Sequence, residues 1–532
     1  MTPVLPPASE AQPGAPQGPA PTPAARKTSL LVGALICVAA AAPIVIYVWI
    51  ALHRIGYPYE LDWMEGGSVE LAARVADGQS LYASPTLAFV GWAYTPFFYW
   101  VSAVVAKIIG LGFVPLRLVS FTASLTSMAT LAWIVTRETR DRVAGIVAAG
   151  LFAATFQISG SWFDIGRVDS LFVALTLLAI AFGREARTAR GGVALGTLAF
   201  LAFFTKQTAL LALLPVIVYL AVTRRRVGIP ALVTLLALVI GSTLVFNAAT
   251  DGWYGYYVIG ELLHQPVAYQ LWVGFWVNDI LHHQWPLVIL ILAGAAMLAW
   301  RAKQRPSLSS PAVYYAIAAA GLLGSAWVSR LHSGGYLNVL IPAYAAVALL
   351  AGLTYGAVVR GRRGAIARPV LAVALLLQLA LLIYPIGAQI PTASDRAIGA
   401  QLIARLRTLP GRVIVLRHPW YATLAGKTSS AQEEAIADVL RSSDARGSRA
   451  LRASLRGALN AEDIQALVLD FPTDTSFFGA ELTDDFRLAR EPITASPLYP
   501  LTDLSSAPRQ LYLRVRPASP EGAKRPPKRP KR

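Results

Sequence analysis

Apolar residues fall into long unbroken runs separated by short basic segments, and this alternation organises the whole sequence. The run from Leu30 to Leu52 follows Arg26 and Lys27. It is long enough to span a bilayer, which takes roughly 20 residues, and too long for the core of a cleaved signal peptide. It reads as an uncleaved first helix. Further runs lie at 116–136, 143–160, 169–183, 192–222, 228–249, 285–300, 311–329, 338–359 and 369–388.

The basic segments orient these runs. Arg137/Arg140/Arg142, Arg184/Arg187/Arg190, Arg224/Arg225/Arg226, Arg301/Lys303/Arg305 and Arg360/Arg362/Arg363/Arg368, together with Arg26 and Lys27, belong on the cytoplasmic side by the positive-inside rule. The run 192–222 lies between two such clusters and must cross an even number of times, with Thr205-Lys206-Gln207-Thr208 as its outer turn. Tyr94 to Gly110 contains Pro96 and Lys107 and is short for a span. Counting it as one would invert every later cluster, so it reads as a juxtamembrane helix on the outer face. The pattern therefore predicts an α-helical polytopic membrane protein of about eleven spans, N-terminus inside and C-terminus outside.

Domain limits follow. Residues 1–27 are a Pro/Ala-rich leader without the means to build a core. Residues 28–389 form the membrane domain, with an outer loop at 53–113 and a further outer loop from Thr250 to Gln284. Residues 390–516 mix strand-like runs (Arg412–Leu416, Ala466–Asp470, Gln510–Val515) with helical ones (Ala431–Leu440, Arg449–Leu459) and read as a small extracytoplasmic α/β domain. Residues 517–532 are a basic, Pro-interrupted tail suited to anionic lipid or wall polymer.

Composition narrows the function. With 55% apolar and 14% charged residues, the chain has more apolar surface than a water-soluble fold of ordinary proportions hides. The net charge of +18 sits in the clusters between apolar runs, which argues for topology and against nucleic acid. Cys37 is the single cysteine, so no intrachain disulfide or thiolate metal cluster is available.

Polar residues concentrate in the segments assigned to the outer face. Tyr57-Pro-Tyr-Glu60-Leu-Asp62-Trp-Met-Glu65 places three carboxylates just beyond the first helix, either as a solvated acidic loop or as a general base at the membrane surface. Phe163-Asp164-Ile-Gly-Arg167-Val-Asp169 sets two acids around an arginine at a helix end, where charge is costly unless paired or working. An ion pair of Arg167 with Asp164 or Asp169 is the plain reading. Lys206 stands in a tight turn, either snorkelling to the interface or meeting a phosphate head group. His282 and His283 are adjacent and make no convincing ligand pair.

In order, Asp62/Glu65, Gly78-Gln-Ser-Leu-Tyr82, Tyr94-Thr-Pro96-Phe-Phe-Tyr99, Arg117-Leu-Val-Ser, Arg167-Val-Asp169 and Thr205-Lys206-Gln207 resemble the GT-C glycosyltransferases that use polyprenyl-phosphate sugars. Lipid A aminoarabinose transferases and protein O-mannosyltransferases are nearest in pattern, over roughly residues 30–360. The resemblance implies a first-loop carboxylate as base, Asp169 as a second acid, and Lys206 as a donor-phosphate contact, with Arg167 and Arg330 as further cations. The family commonly has adjacent Asp-Glu where this chain has Met64-Glu65, so Asp62 and Glu65 both remain candidates. His264, His332 and Tyr336 resemble positions lining the family's cavity.

The implied reaction moves a sugar from a polyprenyl-phosphate donor to an acceptor hydroxyl of an envelope glycan, lipid or protein on the outer side of the cytoplasmic membrane, with inversion. Phosphate departure assisted by Lys and Arg requires no metal, although the carboxylates have the chemistry to hold one. A transporter or flippase of an anionic or lipid-linked substrate is the rival reading, weakened by the lack of clear internal repeats. A non-catalytic anchor would leave the three membrane-surface charge sites unexplained.

Overall fold

The computed structural model describes residues 23–304, 308–360, 364–461, 464–478, 485–502 and 506–515. The basic tail, and all but the end of the N-terminal leader, lie outside these residues. That end is helical: α1 (Pro23–Arg54) begins ahead of Arg26 and Lys27. α2 (Glu65–Ala76), α3 (Phe97–Ile109), α4 (Phe113–Thr139), α5 (Arg142–Ala154), α6 (Val168–Glu185), α7 (Ala189–Phe203), α8 (Ala209–Thr223) and α9 (Arg225–Ala249) follow. The later apolar runs become helices His282–Gln304, Pro311–Leu331, Ile341–Val359 and Gly364–Leu381.

Each apolar run thus coincides with a helix, and the run 192–222 breaks where its polar residues fall, between α7 and α8. Among the described residues, six helices are long and apolar enough to cross a membrane, and the bent pair Arg368–Leu381 and Ile386–Thr408 makes a seventh if counted as one span. The chain is a multi-pass membrane protein. α3, α5, α7 and α8 are shorter apolar helices. Thirteen to fifteen residues rise only roughly 20 Å, less than the hydrocarbon thickness of about 30 Å.

The loop expected over 250–284 is instead mostly helical. Trp253–His264 winds through a stretch of widened turns, Pro266 follows the break, and Leu271–Ala296 forms one of the six long apolar helices, kinked at Gln284. The reason is visible in its residues: Trp272, Val273, Trp276 and Val277 form an exposed apolar face, while Asp279 turns inward to meet Arg330.

Local signals set the helix ends. The Asp141 side chain accepts from the amides of Val143 and Ala144 at the start of α5, and Thr188 from Gly191 at the start of α7. Small residues set the packing between helices, as expected where lipid removes the hydrophobic drive for association. A Cβ on Gly150 would stand 1.9 Å from the Ala40 carbonyl of α1, and one on Gly196 2.5 Å from that of Ala231 in α9.

After the last apolar helix, Ala393–Thr408 opens with a capping box from Thr392 and Asp395. Beyond it lies a four-stranded sheet in the order β1 (Arg412–Val415), β2 (Ile464–Leu469), β4 (Gln510–Arg514), β3 (Phe486–Leu488). β1 and β2 are parallel, and the other pairings are antiparallel. The expected strands and helices are all present, and β3 and the helix Pro419–Leu424 are added to them. This region shares its core with the first long loop. Val69, Leu71, Leu87 and Trp92 of that loop belong to the same buried cluster as Ile414, Leu416, Ile436 and Leu467.

The α1/α5 contact gives a test. Gly150→Leu forces atoms into the Ala40 backbone and should cost about 1–3 kcal/mol, read as a lower melting temperature in detergent. Gly241→Leu, where a Cβ meets nothing within 4 Å, should leave melting close to wild type.

Candidate functional site

Polar side chains buried among membrane helices must be paired, because an uncompensated charge there costs several kcal/mol. Most of the buried ions comply. The Arg54 guanidinium donates to both Asp164 oxygens at 2.6 Å and to the Ser161 carbonyl. Arg117 donates to both Glu65 oxygens at 2.8 and 2.7 Å and to the carbonyls of Arg54, Tyr57 and Tyr59. Glu65 also accepts from the amides of Leu61 and Gly166, so both of its oxygens are engaged in the frame of the loop.

Asp62 has a different setting. It is fully buried, accepts from the Met64 amide at 3.0 Å, and takes one further bond from the Thr502 hydroxyl at 3.2 Å. Burial raises its carboxyl to about 7, with Arg167, Met64 and Thr502 working against that rise. Its neighbours Trp63 and Met64 face a cavity of about 660 Å³, so Asp62 stands one residue behind the wall.

That cavity gathers several of the expected residues. Arg167, Lys206, His332 and Tyr336 line it. Lys206 is not a lone cation: its Nζ lies 2.7 Å from Asp169. Arg167 pairs with neither Asp164, which Arg54 takes, nor Asp169, which Lys206 takes. Its guanidinium lies over the rings of Trp92, Tyr94 and Trp162, and Nη2 donates to the Tyr94 hydroxyl at 3.3 Å. Nε and Nη1 are buried without a hydrogen-bond partner. Burial and Arg441 lower the His332 imidazole from its ordinary range, against an opposing pull from Glu434.

Two expected residues stand elsewhere. His264 is exposed and bonds the Gly260 carbonyl one turn back, because it ends a short helical stretch ahead of Pro266. Arg330 is held by Asp279 and the Gly335 carbonyl and is not part of the cavity wall.

The wall also contains residues that the sequence did not single out. Glu261 comes from the helical stretch after α9, and Arg417, Glu434, Asp438 and Arg441 come from the region after residue 390. Arg417 is neutralised by Asp474 and Glu433, both at 2.9 Å. The one signal for the others was the spacing of Glu434, Asp438 and Arg441 on one face of the helix Glu433–Arg441. Behind this wall, fully buried His418 joins the two halves, with Nδ1 against Glu60 of the first loop and Nε2 2.9 Å from Asp470. Ser506 also donates to Asp470, at 2.5 Å. Among the described residues, no group of three or more His, Cys, Asp or Glu is spaced to hold a metal ion.

Residues 93–246 match the family described as dolichyl-phosphate-mannose-protein mannosyltransferase. The structure is similar to ArnT from Cupriavidus metallidurans bound to undecaprenyl phosphate, with TM-score 0.54 and 15% identity over 89% of this chain and 98% of that one. It is also similar to the apo form of that protein, with TM-score 0.53 and 16% identity over 92% and 98%. The fold is that of these ArnT structures. A third structure, the archaeal oligosaccharyltransferase AglB from Archaeoglobus fulgidus in complex with an inhibitory peptide and a dolichol-phosphate, matches with TM-score 0.50. Its identity is 12%, over 83% of this chain and 71% of that one. No curated protein matches the chain by sequence.

The His418 joint predicts a pH dependence. Burial lowers the imidazole, but Asp470 and Glu60 on its two nitrogens outweigh burial and raise it to about 10. A raised value means that the histidine stabilises the fold fully below its unfolded value of roughly 6.5. That stabilisation is lost as pH rises towards 10. Melting in detergent between pH 7 and 10 should fall more steeply for wild type than for His418→Gln.

Proposed function

We propose that the chain transfers a sugar from a polyprenyl-phosphate donor to an acceptor hydroxyl at the outer face of the cytoplasmic membrane, inverting the anomeric centre. The observation that carries this reading is Arg167: a buried guanidinium in an aromatic box, lining a cavity, without an ion pair among the described residues and with Nε and Nη1 unpartnered. A phosphate supplies the charge and the acceptors that such a group lacks. Lys206 stands on the same cavity and adds a second cation, held in place by Asp169. The fold and the match over residues 93–246 point to the same donor class.

In this reading Asp62 is the base. Of the two first-loop candidates it is the one with a single hydrogen bond on each oxygen, whereas Glu65 braces the loop through Arg117. The acceptor oxygen forms its bond to the anomeric carbon as its proton passes to Asp62. The bond from that carbon to the phosphate oxygen breaks, and its electron pair leaves with the lipid phosphate towards Arg167 and Lys206. These cations serve as the electrostatic partners of the leaving group, so the reading requires no metal. His332 and Tyr336 complete the wall.

The same reading places about eleven spans across the membrane, with α5, α7 and α8 as short crossings, α3 lying on the outer face, and the four-stranded sheet with its helices as an extracytoplasmic α/β domain. Cavity and sheet then face the compartment where lipid-linked sugars meet envelope acceptors.

Purified protein in detergent with polyprenyl-phosphate sugars and an envelope acceptor preparation tests the reading, and a transporter would give no transfer. Asp62→Asn should lower turnover by about 10²-fold or more while leaving melting near wild type. Because a base must be ionised to act, kcat/KM should rise with pH through about 7, where burial holds Asp62. At limiting donor, Arg167→Met and Lys206→Met should each lower the rate about tenfold to a hundredfold. Equal rates for wild type and Arg167→Met would remove the phosphate site from this cavity.

A further inference from the structure

The cavity is polarised, and its second pole is built by residues with no part in the reaction just described. Glu434 and Asp438 stand one turn apart on the helix Glu433–Arg441, and both line the cavity. Arg441 ties them together, with Nη2 2.5 Å from Glu434 and 2.6 Å from Asp438. Glu261 reaches the same cavity from a separate part of the chain, only 2% exposed, with Oε2 lacking any partner. Gln265 donates to the Asp438 carbonyl at 2.9 Å, and its own Oε1 is buried and unpartnered. Three carboxylates and an amide oxygen therefore face one guanidinium, and acceptors outnumber donors on this wall.

Buried acceptors without partners are costly, and a ligand that donates hydrogen bonds removes that cost. Burial and the neighbouring Asp438 push the Glu261 carboxyl well above the usual range, and burial and Glu434 raise Asp438 to about 7. Asp438 also feels the opposing pull of Arg167, so the two poles stand within electrostatic reach of each other. The carboxylates are not spaced to close on a metal ion. A cavity of about 660 Å³ holds a molecule with an anion at one end and several hydroxyl groups at the other.

We propose that Glu261, Glu434 and Asp438, held by Arg441 and accompanied by Gln265, form the glycosyl subsite, accepting hydrogen bonds from the hydroxyl groups of a neutral sugar whose phosphate lies at Arg167. The proposal rests on the donor reading above. Its consequence is selectivity: a sugar that itself carries a carboxylate brings further acceptors to a wall that already has them in excess, and is rejected.

Direct binding to the full chain in detergent separates the two ideas. The probes are a short polyprenyl phosphate, bare or carrying mannose or glucuronate, followed by tryptophan fluorescence. Wild type should bind the mannosyl form at least tenfold more tightly than the glucuronyl form. Glu261→Gln and the double variant Glu434→Gln/Asp438→Asn, which lie on separate segments, should each weaken the mannosyl form about tenfold or more and leave the bare phosphate within about twofold. The double variant should also narrow the gap between mannose and glucuronate. Equal losses for bare and mannosyl forms, or no loss for either, would overturn the subsite while Arg167→Met still reports on the phosphate site. If wild type binds no bare lipid phosphate, the donor reading falls and the subsite falls with it.

Discussion

The Arg117 guanidinium holds the first long loop to the membrane helices. Fully buried on α4, it fills its donors with the Glu65 carboxylate and with backbone carbonyls of the chain leaving α1. Breaking such a pair leaves a bare charge in the interior, at a cost of about 3–5 kcal/mol. The path from Arg54 to Glu65 is therefore fixed, and with it the position of Asp62 behind the cavity wall and of Trp63 and Met64 upon it. Glu65 extends the same network to α6 through the Gly166 amide, one residue before Arg167. The two sides of the cavity thus hang from one arginine.

The other buried charges differ in how they are paired. Arg54 with Asp164, Arg117 with Glu65, and Arg330 with Asp279 are closed pairs, and none of their members lines the cavity. Arg167 and Glu261 lack ion-pair partners among the described residues, and both line it. Lys206, Arg417 and Arg441 also line the cavity but are paired, so the unsatisfied charge on its wall is concentrated at Arg167 and Glu261.

Much of the frame was legible in the sequence because length and apolarity leave a membrane helix few alternatives. The break at Thr205–Thr208 was visible because a polar turn interrupts a run too long for one helix. The region 250–284 was misread because its apolar residues are mixed with Asn278, Asp279 and His282, whose polarity conceals a helix until Arg330 is known to neutralise Asp279. In the site, Arg167 and Lys206 stood out by position, but their partners did not. Competition between Arg54 and Arg167 for Asp164, and between Lys206 and Arg167 for Asp169, is decided by three-dimensional packing and leaves no trace in spacing. The acidic wall was harder still, since Glu261 and Asp438 are separated by most of the second half of the chain.

The His418 joint bears on how the protein is made. Glu60 and Asp62 emerge from the ribosome early, whereas His418, Asp470 and Thr502, which bond to them or to their partners, emerge hundreds of residues later. Glu434, Asp438 and Arg441, which wall the cavity, are late as well. Until those late segments are made, Glu60 lacks His418, Asp62 lacks Thr502, and the cavity lacks one side. The chain therefore closes its cavity only in the last stage of synthesis.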